Sequence, residues 1–104
     1  MFKIEKNWPR RVRTLYAHLR TGHAKELRFY RYLIEKEDNK KCDCGFKEES
    51  IKHVLCDCKL LKEARRIHLG MPVKMTHMAT HPEECRKFLA EKFDGLRLPD
   101  ELNA

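Results

Sequence analysis

Four of the chain's five cysteines fall between Cys42 and Cys58, in the segment KKCDCGFKEESIKHVLCDC, and His53 lies among them. Thiolate and imidazole at this density are the donors of a metal site, and two sets of four are available. One is Cys42, Cys44, His53 and Cys58, spaced C-x-C-x8-H-x4-C. The other replaces His53 with Cys56 and is spaced C-x-C-x11-C-x-C. Either set fills the tetrahedral shell of a structural zinc ion and leaves no position for water or substrate, so the chemistry implied is structural and non-catalytic. Gly45 suits a turn in which backbone amides point at thiolate sulfur. Lys40, Lys41, Lys47 and Lys52 are expected to favour the thiolate forms.

The elements around the cluster bear on the choice between the two sets. If about 50–56 is helical, Ile51, Val54 and Leu55 form an apolar stripe at spacings of three and four. His53 then lies beside that stripe, able to turn toward the Cys42–Cys44 turn, and Cys58 follows just past the helix end. This phase favours the set containing His53. Cys56 becomes a small, buried apolar residue.

The string LRTGH at Leu19–His23, then Cys42-x-Cys44-Gly45, Glu49-Ser50, His53-Val54-Leu55 and Cys58, resembles the zinc-knuckle region near the C-terminus of non-LTR retrotransposon polyproteins. In those polyproteins the region follows the reverse transcriptase and often a ribonuclease H domain. The resemblance covers about half of the chain and implies Cys42, Cys44, His53 and Cys58 as ligands. It departs at Lys59, where the family commonly has proline, and at Cys56, where it commonly has a bulky apolar residue. That extra thiol keeps Cys56 open as an alternative fourth ligand.

The chain has 104 residues, of which 38% are charged and 41% hydrophobic, which predicts a single small domain with a modest core that zinc must supplement. The part from Cys42 onward is therefore expected to be largely unfolded without metal. The formal net charge is +7, and its placement is uneven. Met1–Lys41 carries twelve Lys and Arg against five Asp and Glu, while Cys42–Ala104 carries eleven of each. A basic segment joined to a neutral one points to a polyanion, nucleic acid before an anionic membrane. No apolar run is long enough to span a membrane and no signal peptide is visible. Closely paired cysteines fit thiolate ligands in a reducing compartment, cytoplasmic or nuclear.

The pattern predicts an all-α domain over 1–95, of about four to five short helices, with a tail over 96–104. A basic helical hairpin occupies 1–41. Its first helix is capped by Asn7, carries Trp8 and Pro9 in its first turn and buries Val12, Leu15, Tyr16 and Leu19 before stopping at Gly22. Its second runs over about 23–35 on Leu27, Tyr30 and Ile34. Arg10, Arg11, Arg13, Arg20, Arg28 and Arg31 are the candidate nucleic-acid contacts, with Phe29 and Tyr32 interleaved as possible base-stacking rings. The knuckle and a following helix occupy 42–70, with Leu60, Leu61, Ala64 and Ile67 inward and Lys59, Lys62, Arg65 and Arg66 outward. A loop over 71–79 leads to a final helix over 80–94, capped by Thr80 and Glu83 and burying Cys85, Phe88, Leu89 and Phe93. His77, His81 and Cys85 recur at intervals of four, but Pro82 interrupts them and no fourth ligand is evident.

No pair of carboxylates and no nucleophile–base set has spacing that suggests catalysis, so the expected function is nucleic-acid binding by a non-enzymatic zinc domain. The alternative is a zinc-stabilised module that binds a cellular protein. Oligomeric state is not legible in the sequence.

Overall fold

The computed structural model describes residues 8–70 and 72–98. Every regular element among them is helical, and no strand occurs among the described residues. In chain order they are α1 (Arg10–Thr21), α2 (Arg28–Leu33), a π-helical turn (His53–Asp57), a 3-10 turn (Lys59–Leu61), α3 (Lys62–His68), α4 (His77–Thr80), α5 (Pro82–Leu89) and a 3-10 turn (Asp94–Leu96).

Helix α1 runs through the middle of the core because its apolar positions repeat on one face, with Val12, Tyr16 and Leu19 fully buried. Asn7, expected as its cap, lies outside the described residues. Pro9 occupies the capping position instead, and its carbonyl accepts the amides of Val12 and Arg13 at 3.0 and 3.1 Å. The helix ends as its sequence predicts. Gly22 adopts φ 81°, and the amides of Gly22 and His23 return to the carbonyls of Leu19 and His18. Trp8 precedes the helix and packs inward, edge-on to Tyr16 with ring centroids 5.1 Å apart. The Tyr16 hydroxyl donates to the buried carbonyl of Met78 at 2.6 Å, tying α1 to α4.

The second helix is shorter than its sequence predicts, six residues in place of about thirteen. Leu27 is extended at φ −89° and ψ 123°, which turns Ala24 and Leu27 into the core and starts the helix only at Arg28. The buried Glu49 side chain fixes that start by accepting the Arg28 amide at 2.8 Å. Glu49 also meets Lys92 Nζ at 3.1 Å, so one carboxylate joins α2 to the chain after α5. Leu33 is exposed and contributes nothing to the core.

Two further expectations fail for local reasons. The chain enters α3 through a 3-10 turn, whose different pitch rotates the apolar positions out of line. Leu61 and Ala64 pack on the core, but Leu60 and Ile67 are 62% and 65% exposed. Residues 77–79, expected as loop, form α4 together with Thr80, expected as the start of the final helix. Its break from α5 comes at His81, at φ −133° and ψ 59°, because the residue before a proline is pushed out of the helical region. Thr80 does not cap α5, which has no side-chain cap and ends at Leu89. Its expected apolar face is as the spacing predicts, with Cys85, Phe88, Leu89 and Phe93 all buried. Leu96, assigned by sequence to the tail, is fully buried, and Leu98 packs against the core.

One buried cation organises this end of the molecule. Arg86 has no exposed surface; it donates to the Leu96 carbonyl at 2.9 Å and to Glu83 Oε1 at 2.7 Å, with its guanidinium 5.8 Å from the Trp8 ring centroid. Glu83 Oε2 accepts the Trp8 indole N–H at 2.8 Å. Burial pushes the Glu83 carboxyl up, but the hydrogen bonds from Arg86 and Trp8 outweigh it and hold the group below the ordinary glutamate range. Removing the cation leaves a carboxylate without its charge partner. Arg86→Met is expected to cost about 3–5 kcal/mol in equilibrium denaturation. Because the folded-state pKa is depressed, the Glu83 contribution is complete above the ordinary glutamate pKa and is lost as pH falls through the lowered value. Glu83→Gln should therefore flatten the acid limb of the stability–pH curve.

Candidate metal centre

The segment between α2 and α3 makes few helical hydrogen bonds and is shaped by turns. From Cys42 to Phe46 the chain doubles back, with the Gly45 amide on the Cys42 carbonyl at 2.9 Å and the Cys42 amide on the Phe46 carbonyl at 3.0 Å. Gly45 is needed here for its backbone, at φ 97°, since a Cβ would meet nothing within 4 Å.

The second half differs from the regular helix expected over about 50–56. After Ile51 and Lys52 the helix widens into the π-helical turn, closed by the Cys58 amide on the His53 carbonyl five residues back, at 2.7 Å. In an α-helix, side chains five apart point roughly 140° away from each other. Widening the turn brings Cys58 round toward the side of His53. The terminal carbonyls of such a turn need donors. Arg65, expected on the solvent side of α3, supplies them by donating to the carbonyls of Leu55, Val54 and Cys58 at 2.8, 3.0 and 3.2 Å. Its guanidinium also lies 5.3 Å from the Phe88 ring centroid, joining this turn to α5.

These turns bring together one donor atom each from Cys42, Cys44, His53 and Cys58, all within 4.8 Å of one another, and this group could hold a metal ion. Cys42 Sγ and Cys58 Sγ are 3.7 Å apart, and His53 Nε2 is 3.2 Å from Cys44 Sγ. All five cysteines are free thiols. Cys56 is outside the group and packs half-buried against the core, where burial pushes its thiol up. His77 and His81 approach each other, with centroids 5.1 Å apart, but form no such group with Cys85.

The donors differ in proton affinity. Burial pushes the Cys42 thiol up, while the Phe46 amide facing Cys44 holds that thiol below its ordinary value. A backbone amide at the turn is thus the leading influence on Cys44, where the sequence suggested lysine side chains. His53 is nearly inaccessible, and burial lowers its pKa, keeping the ring neutral further into acid. The Phe46 ring lies parallel to it, 4.3 Å between centroids and 7° between planes, and remains 44% exposed. His53 Nδ1 is buried without a hydrogen-bond partner, leaving Nε2 as the nitrogen directed into the cluster.

The structure scatters the six candidate arginines. Arg10, Arg13 and Arg20 are exposed on α1. Arg11 donates to the carbonyls of Gly95 and Arg97 at 2.9 and 3.2 Å. Arg28 and Arg31 meet the two oxygens of Glu37 at 3.3 and 2.6 Å, and Arg28 also meets Asp43 at 3.3 Å. Phe29 is half-buried, and Tyr32 has Lys40 Nζ 5.0 Å over its ring. Arg65 is the site residue that sequence reasoning missed. Its one visible signal is a cation seven residues past Cys58, where it can reach back to open carbonyls.

Comparison of the chain with protein-family models, with curated proteins and with solved structures gives no match. No helix among the described residues is long and apolar enough to cross a membrane.

Metal binding at this group should survive Cys56→Ser and fail in Cys58→Ser, as read by metal content of the purified protein. Binding displaces thiol protons, so affinity in a chelator competition should fall by at least about tenfold per unit of acidification below pH ~8. Arg65→Met, which touches no ligand atom, should weaken metal affinity by about 10- to 100-fold in the same competition.

Proposed function

We propose that the chain is a non-catalytic, zinc-stabilised helical domain that binds nucleic acid through the outer face of α1. The metal part of this reading extends the four-donor group. At a Zn–S distance of about 2.3 Å, two sulfurs on a tetrahedral centre lie about 3.8 Å apart. The Cys42–Cys58 separation of 3.7 Å fits that edge. Three thiolates and one neutral imidazole are the soft and borderline donors that zinc prefers. The order of these residues supports the resemblance to the retrotransposon zinc knuckle.

The observation that carries the nucleic-acid reading is the charge at the start of α1. Its first turn holds no acidic residue, and Arg10, Arg11 and Arg13 crowd the end where the helix dipole is already positive. A helix selected only for stability places its cations at the other end, because each one here opposes the dipole. A polyanion removes that penalty and makes the same end a phosphate-binding one. Arg10 and Arg13, exposed on α1, are the contacts, while Arg11, Arg28 and Arg31 are engaged within the fold. Such binding is driven by backbone charge and is salt-dependent with little sequence preference.

A second reading, a module that docks on a cellular protein, is favoured by Leu60 in the 3-10 turn and Ile67 in α3, seven residues apart and mostly exposed.

The two readings separate in one titration. With the zinc-loaded chain and mixed-sequence RNA or DNA at two salt concentrations, the double variant Arg10→Glu/Arg13→Glu should abolish binding without loss of helical signal. Affinity unchanged in that variant would exclude the α1 face. Leu60→Ser/Ile67→Ser should leave nucleic-acid affinity as it was.

A further inference from the structure

An open groove of about 830 Å³ lies between α1 and the chain from His23 to Tyr30. We infer that this groove receives one unstacked base of a single-stranded nucleic acid, with its phosphate held at the rim by Arg10. The inference rests on the nucleic-acid reading above and deepens it from duplex-tolerant backbone binding to a preference for unpaired strands.

Three observations support it. The groove's volume lies within the range of pockets that enclose a compact organic ligand, and a nucleoside is of that size. Leu15 and Tyr30 supply its apolar and aromatic part, within a lining that is otherwise polar or charged. Leu15 and Tyr30 are half-buried against the core, and His23 meets Tyr30 edge-on at 5.6 Å between centroids and 71° between planes, which fixes the tyrosine ring. A ring held in this way is a stacking surface that any base can use, whatever its hydrogen-bonding pattern. The rim carries fixed charge in excess, with Arg10, Arg11 and Lys25 against the single carboxylate of Glu26. Arg11 is pinned by the carbonyls of Gly95 and Arg97, so its charge stays at the rim. Glu26 disfavours a phosphate at its own end and accepts a hydrogen bond from a base amino group. The groove therefore has a base end and a phosphate end.

A paired base cannot enter such a groove unless it leaves its stack, whereas a single strand offers its bases without that cost. The exposed arginines of α1 alone make no such distinction, and this separates the groove from the outer face.

The test uses the full-length, zinc-loaded chain with a labelled oligothymidine strand and a labelled duplex of equal length, read by fluorescence anisotropy. Thr14, exposed on the groove wall, is replaced by tryptophan, which fills the space and removes no charge. Thr14→Trp should weaken the single strand by about tenfold or more and leave the duplex unchanged. Tyr30→Ala should do the same, and circular dichroism reports whether each variant is folded. Arg13→Glu, outside the groove, should weaken strand and duplex alike. A folded Thr14→Trp that binds the strand as the wild type does overturns the groove while leaving the α1 face standing. Wild-type protein that binds strand and duplex with equal affinity also overturns it. If neither probe binds at low salt, both readings fail together.

Discussion

The grouping of Cys42, Cys44, His53 and Cys58 depends on one hydrogen bond, from the Cys58 amide to the His53 carbonyl. With the ordinary four-residue spacing, the two side chains would diverge and no single ion could reach both. The five-residue loop is worse in itself than an α-helical turn, since it leaves gaps along its axis and open carbonyls at its end. Arg65 offsets the second defect by filling three of those carbonyls at once. The ligand geometry is therefore set by a residue that touches no ligand atom, and α3 has a purpose beyond covering the core.

The same logic recurs away from the cluster. Arg86 and Glu49 are charged groups placed where a small protein normally keeps hydrocarbon, and each joins segments far apart in sequence. A chain with so little apolar surface has few methyl groups with which to specify how its helices meet. Directional bonds from buried charges do that instead, and each is tolerable only because its partners are in place.

What the sequence made legible follows from this division. Helix α1 and the apolar face of α5 are read correctly because local periodicity and a terminal glycine decide them, and Val12, Tyr16, Leu19, Phe88 and Leu89 are where the spacing puts them. The all-helical class was legible in the pattern, and spacing marked Cys42, Cys44 and Cys58 but left His53 and Cys56 both open as the fourth donor, a choice that rested on helical phase and on the resemblance. The misreadings have a common cause, which is tertiary. Helix α2 is shortened because Glu49 captures the Arg28 amide, and no window around residue 28 contains Glu49. Leu60 and Ile67 fall outside the core because the preceding turn is 3-10, a consequence of how the knuckle ends. Arg65 reads as a solvent-facing cation, since burial of an arginine is decided by carbonyls elsewhere in the chain.

The Arg11 bonds to the carbonyls of Gly95 and Arg97 span 84 and 86 residues, and the Trp8 bond to Glu83 spans 75. Part of the packing of α1 thus waits for residues far along the chain. While the chain is being synthesised, the helix emerges with its apolar stripe uncovered, and some of its partners appear only when residues 78–97 have followed. Loop closure on that scale makes folding slow compared with that of a bundle whose neighbours are adjacent in sequence. The order of the residues thus leaves part of the apolar stripe of α1 uncovered until the last of its partners has been added.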